Sequence, residues 1–235
     1  MTTTSVICQK GGTGKTTTAL ILAAALPGKT LVIDADQQCN ATETVLQGRP
    51  RYTLRDVLTG RARIQDGIIH AESFDILPSD RNLMDEHAKI NTALRDALKT
   101  VKYDHVIIDC PPALGRLTAA ALTAADNAII PTTADKYGYA AYLQTVQTIE
   151  QIRSKNNKSL KLLAVILSRY NPRTVLEREY REQFAAAAPE LYTVRNSVSI
   201  KESQTVGAPD ILRYAPKSAA AQDYKIIIDK LKGRL

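Results

Sequence analysis

Ser5-Val6-Ile7-Cys8-Gln9-Lys10-Gly11-Gly12-Thr13-Gly14-Lys15-Thr16-Thr17 decides how the rest of the chain is read. A short apolar run enters a glycine-rich loop, and the alanine-rich residues 18–26 that follow read as a helix. Strand, glycine loop and helix is the context in which backbone amides and the positive end of a helix dipole face a phosphate. The end of the stretch, Gly14-Lys15-Thr16, keeps the usual phosphate-loop register, whereas its start departs from it and carries a second lysine, Lys10. In this reading Gly11, Gly12, Thr13, Gly14, Lys15, Thr16 and Thr17 cradle the phosphates. Lys15 reaches the β- and γ-phosphates, and the Thr16 hydroxyl serves Mg2+. Lys10 has no role within an ordinary loop of this kind.

Outward from the loop, strands and helices alternate. Residues 30–34, Thr-Leu-Val-Ile-Asp, read as a strand buried on both faces and ending in an acid. Residues 74–78, 103–109, 127–131 and 160–167 read as further strands. Helices are predicted over 52–59, from Ser79 or Asp80 towards residue 99, and over 117–125, 139–152 and 218–231. Another is marked by the four-residue recurrence of Leu176, Tyr180 and Phe184. This order predicts one α/β domain over residues 1–235, a doubly wound, mostly parallel sheet with helices on both faces. Ligands of such folds lie at the carboxyl ends of the strands, where Lys10, Asp36 and Asp109 all fall. A nucleotide hydrolase must orient a water towards the γ-phosphate, and a carboxylate at the start of a loop can do so.

Lys10-Gly11-Gly12-Thr13-Gly14-Lys15-Thr16-Thr17 resembles the deviant Walker A loop of the ParA/MinD family of ATPases. The resemblance implies a P-loop NTPase that hydrolyses ATP with Mg2+, in which Lys10 crosses a dimer interface to the phosphates bound by the other subunit. Asp34-Ala35-Asp36-Gln37-Gln38-Cys39-Asn40-Ala41-Thr42 resembles the family's first switch, with Gln37 where a proline is usual. By that likeness Asp36 orients the attacking water and Asp34 supports the Mg2+ shell. Ile107-Ile108-Asp109-Cys110-Pro111-Pro112 resembles the Walker B segment and second switch, which gives Asp109 a water on Mg2+.

Ser168-Arg169-Tyr170-Asn171-Pro172 is similar to the family segment that touches adenine, with Asn171 as the expected base contact. Val194-Arg195-Asn196-Ser197 stands where the family has Ile-Pro-Arg-Asn, so Arg195 either stacks on the base or points away. Partners are implied in the same way: a homodimer on ATP binding, non-specific double-stranded DNA, and a ParB-like centromere-binding protein that stimulates hydrolysis. Arg173 and Lys217 match basic positions used for DNA, and Lys201 or Arg195 is expected to compensate for the arginine replaced by Ser199. The opposing expectation for Arg173, Arg178 and Arg181 is a solvated face paired locally with Glu177, Glu179 and Glu182. Two alternatives remain open: a MinD-like placement ATPase on a membrane, and positioning of a protein cargo on the nucleoid. The membrane is the weaker of these, because residues 224–235 end without an amphipathic tail beyond the last helix.

Bulk composition agrees with this reading. The 235 residues are 44% hydrophobic, enough for a core without metal or disulfide support. A net charge of +7 favours a polyanionic partner. Three cysteines form neither a disulfide framework nor a zinc site. With Met1–Ser5 leading directly into a strand, a cytoplasmic protein is expected, and the family resemblance implies association with the nucleoid. Cys8, Cys39 and Cys110 each flank a motif, which raises a redox switch as a minor expectation.

Overall fold

Strands β1 (Thr2–Val6), β2 (Thr30–Asp34), β3 (Ile69–His70), β4 (Asp75–Leu77), β5 (His105–Asp109), β6 (Asn127–Thr132), β7 (Lys161–Tyr170) and β8 (Leu191–Arg195) join in one open sheet. The computed structural model describes residues 1–88 and 92–235. Strand order is β3-β4-β2-β5-β1-β6-β7-β8, and every pairing is parallel except β3 with β4. β2 and β6 are buried along their whole length, which is why they are apolar without alternation.

Successive side chains still divide between the two faces. Leu31, Ile33, Val106 and Ile108 pack under α6 (Arg116–Ala124), α7 (Lys136–Lys155) and α8 (Val175–Ala187). Val32 and Ile107 pack on the other face, under α1 (Lys15–Ala25) and α11 (Ala219–Leu231). The expected doubly wound architecture is therefore the observed one. Shorter helices fill the connections: α2 (Asn40–Val45), α3 (Leu54–Leu58), α4 (Ile64–Gly67), α5 (Ala93–Leu98), α9 (Val198–Thr205) and α10 (Ile211–Tyr214).

The expected helix from Ser79 or Asp80 towards residue 99 is not continuous. Only a 3-10 turn, Asp85–His87, and α5 form among the described residues, and residues 89–91 of that expectation lie outside them. Asp80 does not cap a helix, because its carboxylate takes the Thr53 hydroxyl at 2.6 Å and the Asn82 amide at 2.8 Å. Asp85 accepts the Leu117 amide at 2.8 Å, so the segment serves the start of α6 instead. α9, α10, β3 and β8 had no signal strong enough to predict them. β3 has two residues, and β8 is only partly buried.

Candidate active site

Between β1 and α1 the loop turns on Gly12 and Gly14, at φ 70 and 90. Both lie in the left-handed region that glycine adopts without a Cβ penalty. The amides of Gly11, Gly12, Thr13 and Gly14 have no hydrogen-bond partner among the described residues. Gly11, Gly12 and Gly14 line a cavity of about 550 Å³, together with Asp36, Ser168, Arg169, Asn196 and Lys201. Lys15 is buried to 7% exposure, and its ammonium donates to the Lys10 carbonyl at 3.0 Å. Thr17, one turn into α1, accepts from Gln204 of α9 at 2.9 Å.

The acids arrive from the neighbouring strands. Parallel register makes Asp34 and Asp109 direct partners at the ends of β2 and β5. Thr16 donates to Asp109 Oδ2 at 2.6 Å, while Oδ1 is buried without a hydrogen-bond partner among the described residues. Asp34 Oδ2 accepts the amide and hydroxyl of Thr42 at 2.9 and 2.7 Å, and Oδ1 accepts the Asp36 amide at 3.1 Å. Burial pushes the Asp34 carboxyl up to about 6, against the bonds from Thr42. Asp109 is raised well above the ordinary carboxylate range, by burial first and then by the charge of Asp34. Asp36 is 6% exposed and accepts the Gln38 amide at 2.9 Å, which holds its carboxylate at the start of the switch loop.

An orphan carboxylate oxygen beside a hydroxyl, in a pair of acids that burial disfavours, fits a hydrated divalent cation. No three His, Cys, Asp or Glu side chains converge on a metal among the described residues. Mg2+ ordinarily keeps several waters and takes phosphate oxygens beside one or two carboxylates.

Lys10 takes a different position from Lys15. Its ammonium bonds Thr133 at 2.8 Å and both oxygens of Asp135 at 3.1 Å within the same chain. Asp135 and Thr133 were not singled out by sequence. Asp135 carries a helix-capping signal, accepting the Gly138 amide at 2.7 Å, but nothing local ties it to a residue 125 positions away.

Asn171 is not brought to the cavity. Its side-chain oxygen accepts the Arg173 amide at 3.0 Å, and its own amide donates to Glu177 at 2.7 Å, so the residue closes a turn at the head of α8. Arg195 lines the cavity, yet its guanidinium is paired with Asp223 of α11 at 2.8 Å. Of the two orientations left open for it, the side chain takes the one directed at α11. Arg173, Lys201 and Lys217 are exposed. Among the described residues no ion pair joins Arg173, Arg178 or Arg181 to Glu177, Glu179 or Glu182.

The three cysteines are buried. Burial, then the charge of Asp34, pushes the Cys39 thiol up to about 11. Burial and the charge of Asp109 raise Cys110 further. Neither thiol is a reactive thiolate at neutral pH, which weighs against a redox switch at these two positions.

Comparison with known proteins gives a consistent picture. A family described as an AAA domain matches residues 1–162. The chromosome partitioning protein ParA of Caulobacter vibrioides is 35% identical over 237 residues, covering 92% of this chain and 88% of its own length. The chromosome-partitioning ATPase Soj of Thermus thermophilus is also 35% identical, covering 97% of this chain and 94% of its own. Among solved structures, the septum site-determining protein MinD of Pyrococcus horikoshii, complexed with Mg-ADP, matches with a TM-score of 0.80 and 27% identity. That alignment covers 100% of this chain and 99% of the other.

Proposed function

Because this chain belongs to the ParA/Soj family of partition ATPases, we propose that it hydrolyses ATP with Mg2+ to govern a DNA-binding homodimer that partitions plasmid or chromosomal DNA. One observation carries the catalytic part. Partnerless loop amides, Lys15, Thr16 and Asp36 line a single cavity, and Thr16 bonds Asp109 of the buried Asp34–Asp109 pair behind its wall.

The amides of Gly11 to Gly14 bind phosphate oxygens, and Lys15 exchanges its bond to the Lys10 carbonyl for the β- and γ-phosphates. Thr16 and Asp109 would hold Mg2+, with Asp34 supporting them, and the ion would supply neutralising charge to the phosphates. Asp36, fixed by the Gln38 amide, orients the water that attacks the γ-phosphate. ADP and phosphate are the products.

Lys10 leaves Asp135 for the phosphates held by a second copy, which makes ATP part of the dimer interface. Arg173, Lys201 and Lys217 contact DNA phosphates without reading bases. The support for them is exposure without acid partners. A ParB-like protein, itself bound to cargo DNA, speeds hydrolysis and release. The working location is the nucleoid in the cytoplasm, and residues 1–235 act as one domain. Membrane placement is the poorer reading. Tyr224, Ile227, Ile228 and Leu231 are buried on the domain, and no helix of the described residues is long and apolar enough to cross a membrane.

The test is anisotropy of a random-sequence duplex with ADP or a slowly hydrolysed ATP analogue, at two salt concentrations. Binding that needs the analogue, weakens with salt and is lost in Lys10→Ala supports the proposal. Absence of DNA binding in both nucleotide states overturns it.

A further inference from the structure

β7 loses register against β8 between Ser168 and Tyr170, and the residue at that slip, Arg169, has φ 57. An arginine in left-handed backbone is uncommon, and such strain persists only where the surroundings enforce it. Bulges beside active sites re-aim a side chain, and here the re-aimed one is the Arg169 guanidinium. Its Nη2 donates to the Gly12 carbonyl at 2.9 Å, across 157 residues of sequence. The preceding residue makes a second approach to the same loop. Ser168 Oγ is buried without a hydrogen-bond partner among the described residues, and lies 3.1 Å from where a Cβ on Gly14 would stand. The end of β7 thus touches the phosphate loop at both of its left-handed glycines.

A trans peptide points its carbonyl and the following N–H in opposite directions. Holding the Gly12 oxygen therefore fixes the direction of the Thr13 amide, one of the four loop amides with no partner of its own. We propose that Arg169 is a positioning residue for the nucleotide: by holding the Gly12 carbonyl it locks the Gly12–Thr13 peptide, and so sets the backbone of the loop in its phosphate-receiving shape before ligand arrives. The strained backbone of β7 is the means by which the side chain reaches the loop. Arg169 also adds a positive charge to a cavity that receives a polyanion. The inference rests on the assignment of this cavity to ATP and ADP, and is independent of DNA binding.

The experiment measures MgADP binding to the full chain by calorimetry, together with thermal melting and steady-state ATP hydrolysis, for wild type, Arg169→Gly and Arg169→Lys. Glycine accepts φ 57 without strain, so the Tm of Arg169→Gly should equal or exceed that of wild type. Its Kd for MgADP should nevertheless rise about tenfold, the loss expected for one charge-assisted hydrogen bond. KM for ATP should rise by a larger factor than kcat falls, and Arg169→Lys should lie between the two. A merely structural role would lower Tm and affinity together, and that outcome overturns the proposal. An Arg169→Gly affinity within twofold of wild type overturns it as well. Failure of wild type to bind MgADP removes the nucleotide assignment itself, and this inference with it.

Discussion

Lys10 and Asp135 form an ion pair within one chain, with the ammonium 3.1 Å from both carboxylate oxygens. Asp135 also accepts the Gly138 amide, and so holds the start of α7 and the lysine of the phosphate loop at once. Burial raises its carboxyl, but bonds from Thr133, the Gly138 amide and Lys10 outweigh that and hold it below the ordinary range. Asp135 is therefore charged at neutral pH, and the pair is in place in the nucleotide-free chain. In the proposed dimer Lys10 must leave this position, so the pair opposes association.

Asp135→Asn keeps an oxygen for the Gly138 amide and removes the charge that restrains Lys10. Dimerisation with a slowly hydrolysed ATP analogue should then occur at up to about thirtyfold lower protein concentration, because each dimer releases two part-exposed pairs worth at most ~1 kcal/mol apiece. Sedimentation velocity at graded concentrations measures this. An unchanged midpoint would show that the pair does not restrain Lys10.

Asp34 gives a prediction for both stability and activity. Its carboxyl is pushed up to about 6 from an ordinary 3.8, so between these values the native state binds more protons than the unfolded chain. Stability of the nucleotide-free protein should therefore fall as pH rises from about 4 to 6 and level off above that, by about 3 kcal/mol for this residue. Asp34→Asn should flatten that window and slow hydrolysis, at some cost in stability, because one oxygen that accepts a backbone amide becomes an NH2 facing it. An unchanged slope between pH 4 and 6 would refute the account.

Asp36→Ala should reduce ATP turnover by about 10²-fold or more, the usual contribution of a positioned acid–base group, with MgATP binding retained. Single-turnover hydrolysis alongside equilibrium binding separates the two effects. Loss of binding without loss of turnover at saturation would assign Asp36 to ground-state contacts.

Gly138 has no room for a side chain, because a Cβ there would overlap the Thr133 carbonyl. Gly138→Ala should destabilise the fold by about 3 kcal/mol through overpacking. It should also displace Asp135, whose carboxylate accepts the Gly138 amide. Urea unfolding measures the first effect. If the variant is as stable as wild type, the close approach is not a constraint.

Much of the fold and part of the site were legible in the chain because their causes are local. Glycines at 12 and 14 permit the left-handed turns, and an apolar run such as residues 30–34 specifies a strand covered on both faces. Acids closing such strands fall at the ligand end of a parallel sheet. The stretch after residue 79 does not form the expected helix because Asp80, a helix-starting residue by its sequence, bonds the distant Thr53, and Asp85 bonds Leu117 at the start of α6.

What the sequence by itself determined is the glycine loop, the alternation of strands and helices, and the residue types at the strand ends, since near neighbours set backbone conformation and periodic burial. Only the tertiary structure decided which of those residues meet. Strand order places β5 between β2 and β1, which sets Asp109 against Asp34 and beneath Thr16. The fold also turned Asn171 into a turn residue, paired Arg195 with Asp223, held Lys10 on Asp135 and brought Arg169 to Gly12. These contacts depend on side-chain direction at a few ångströms, and the chain acquires that information when distant strands settle into register.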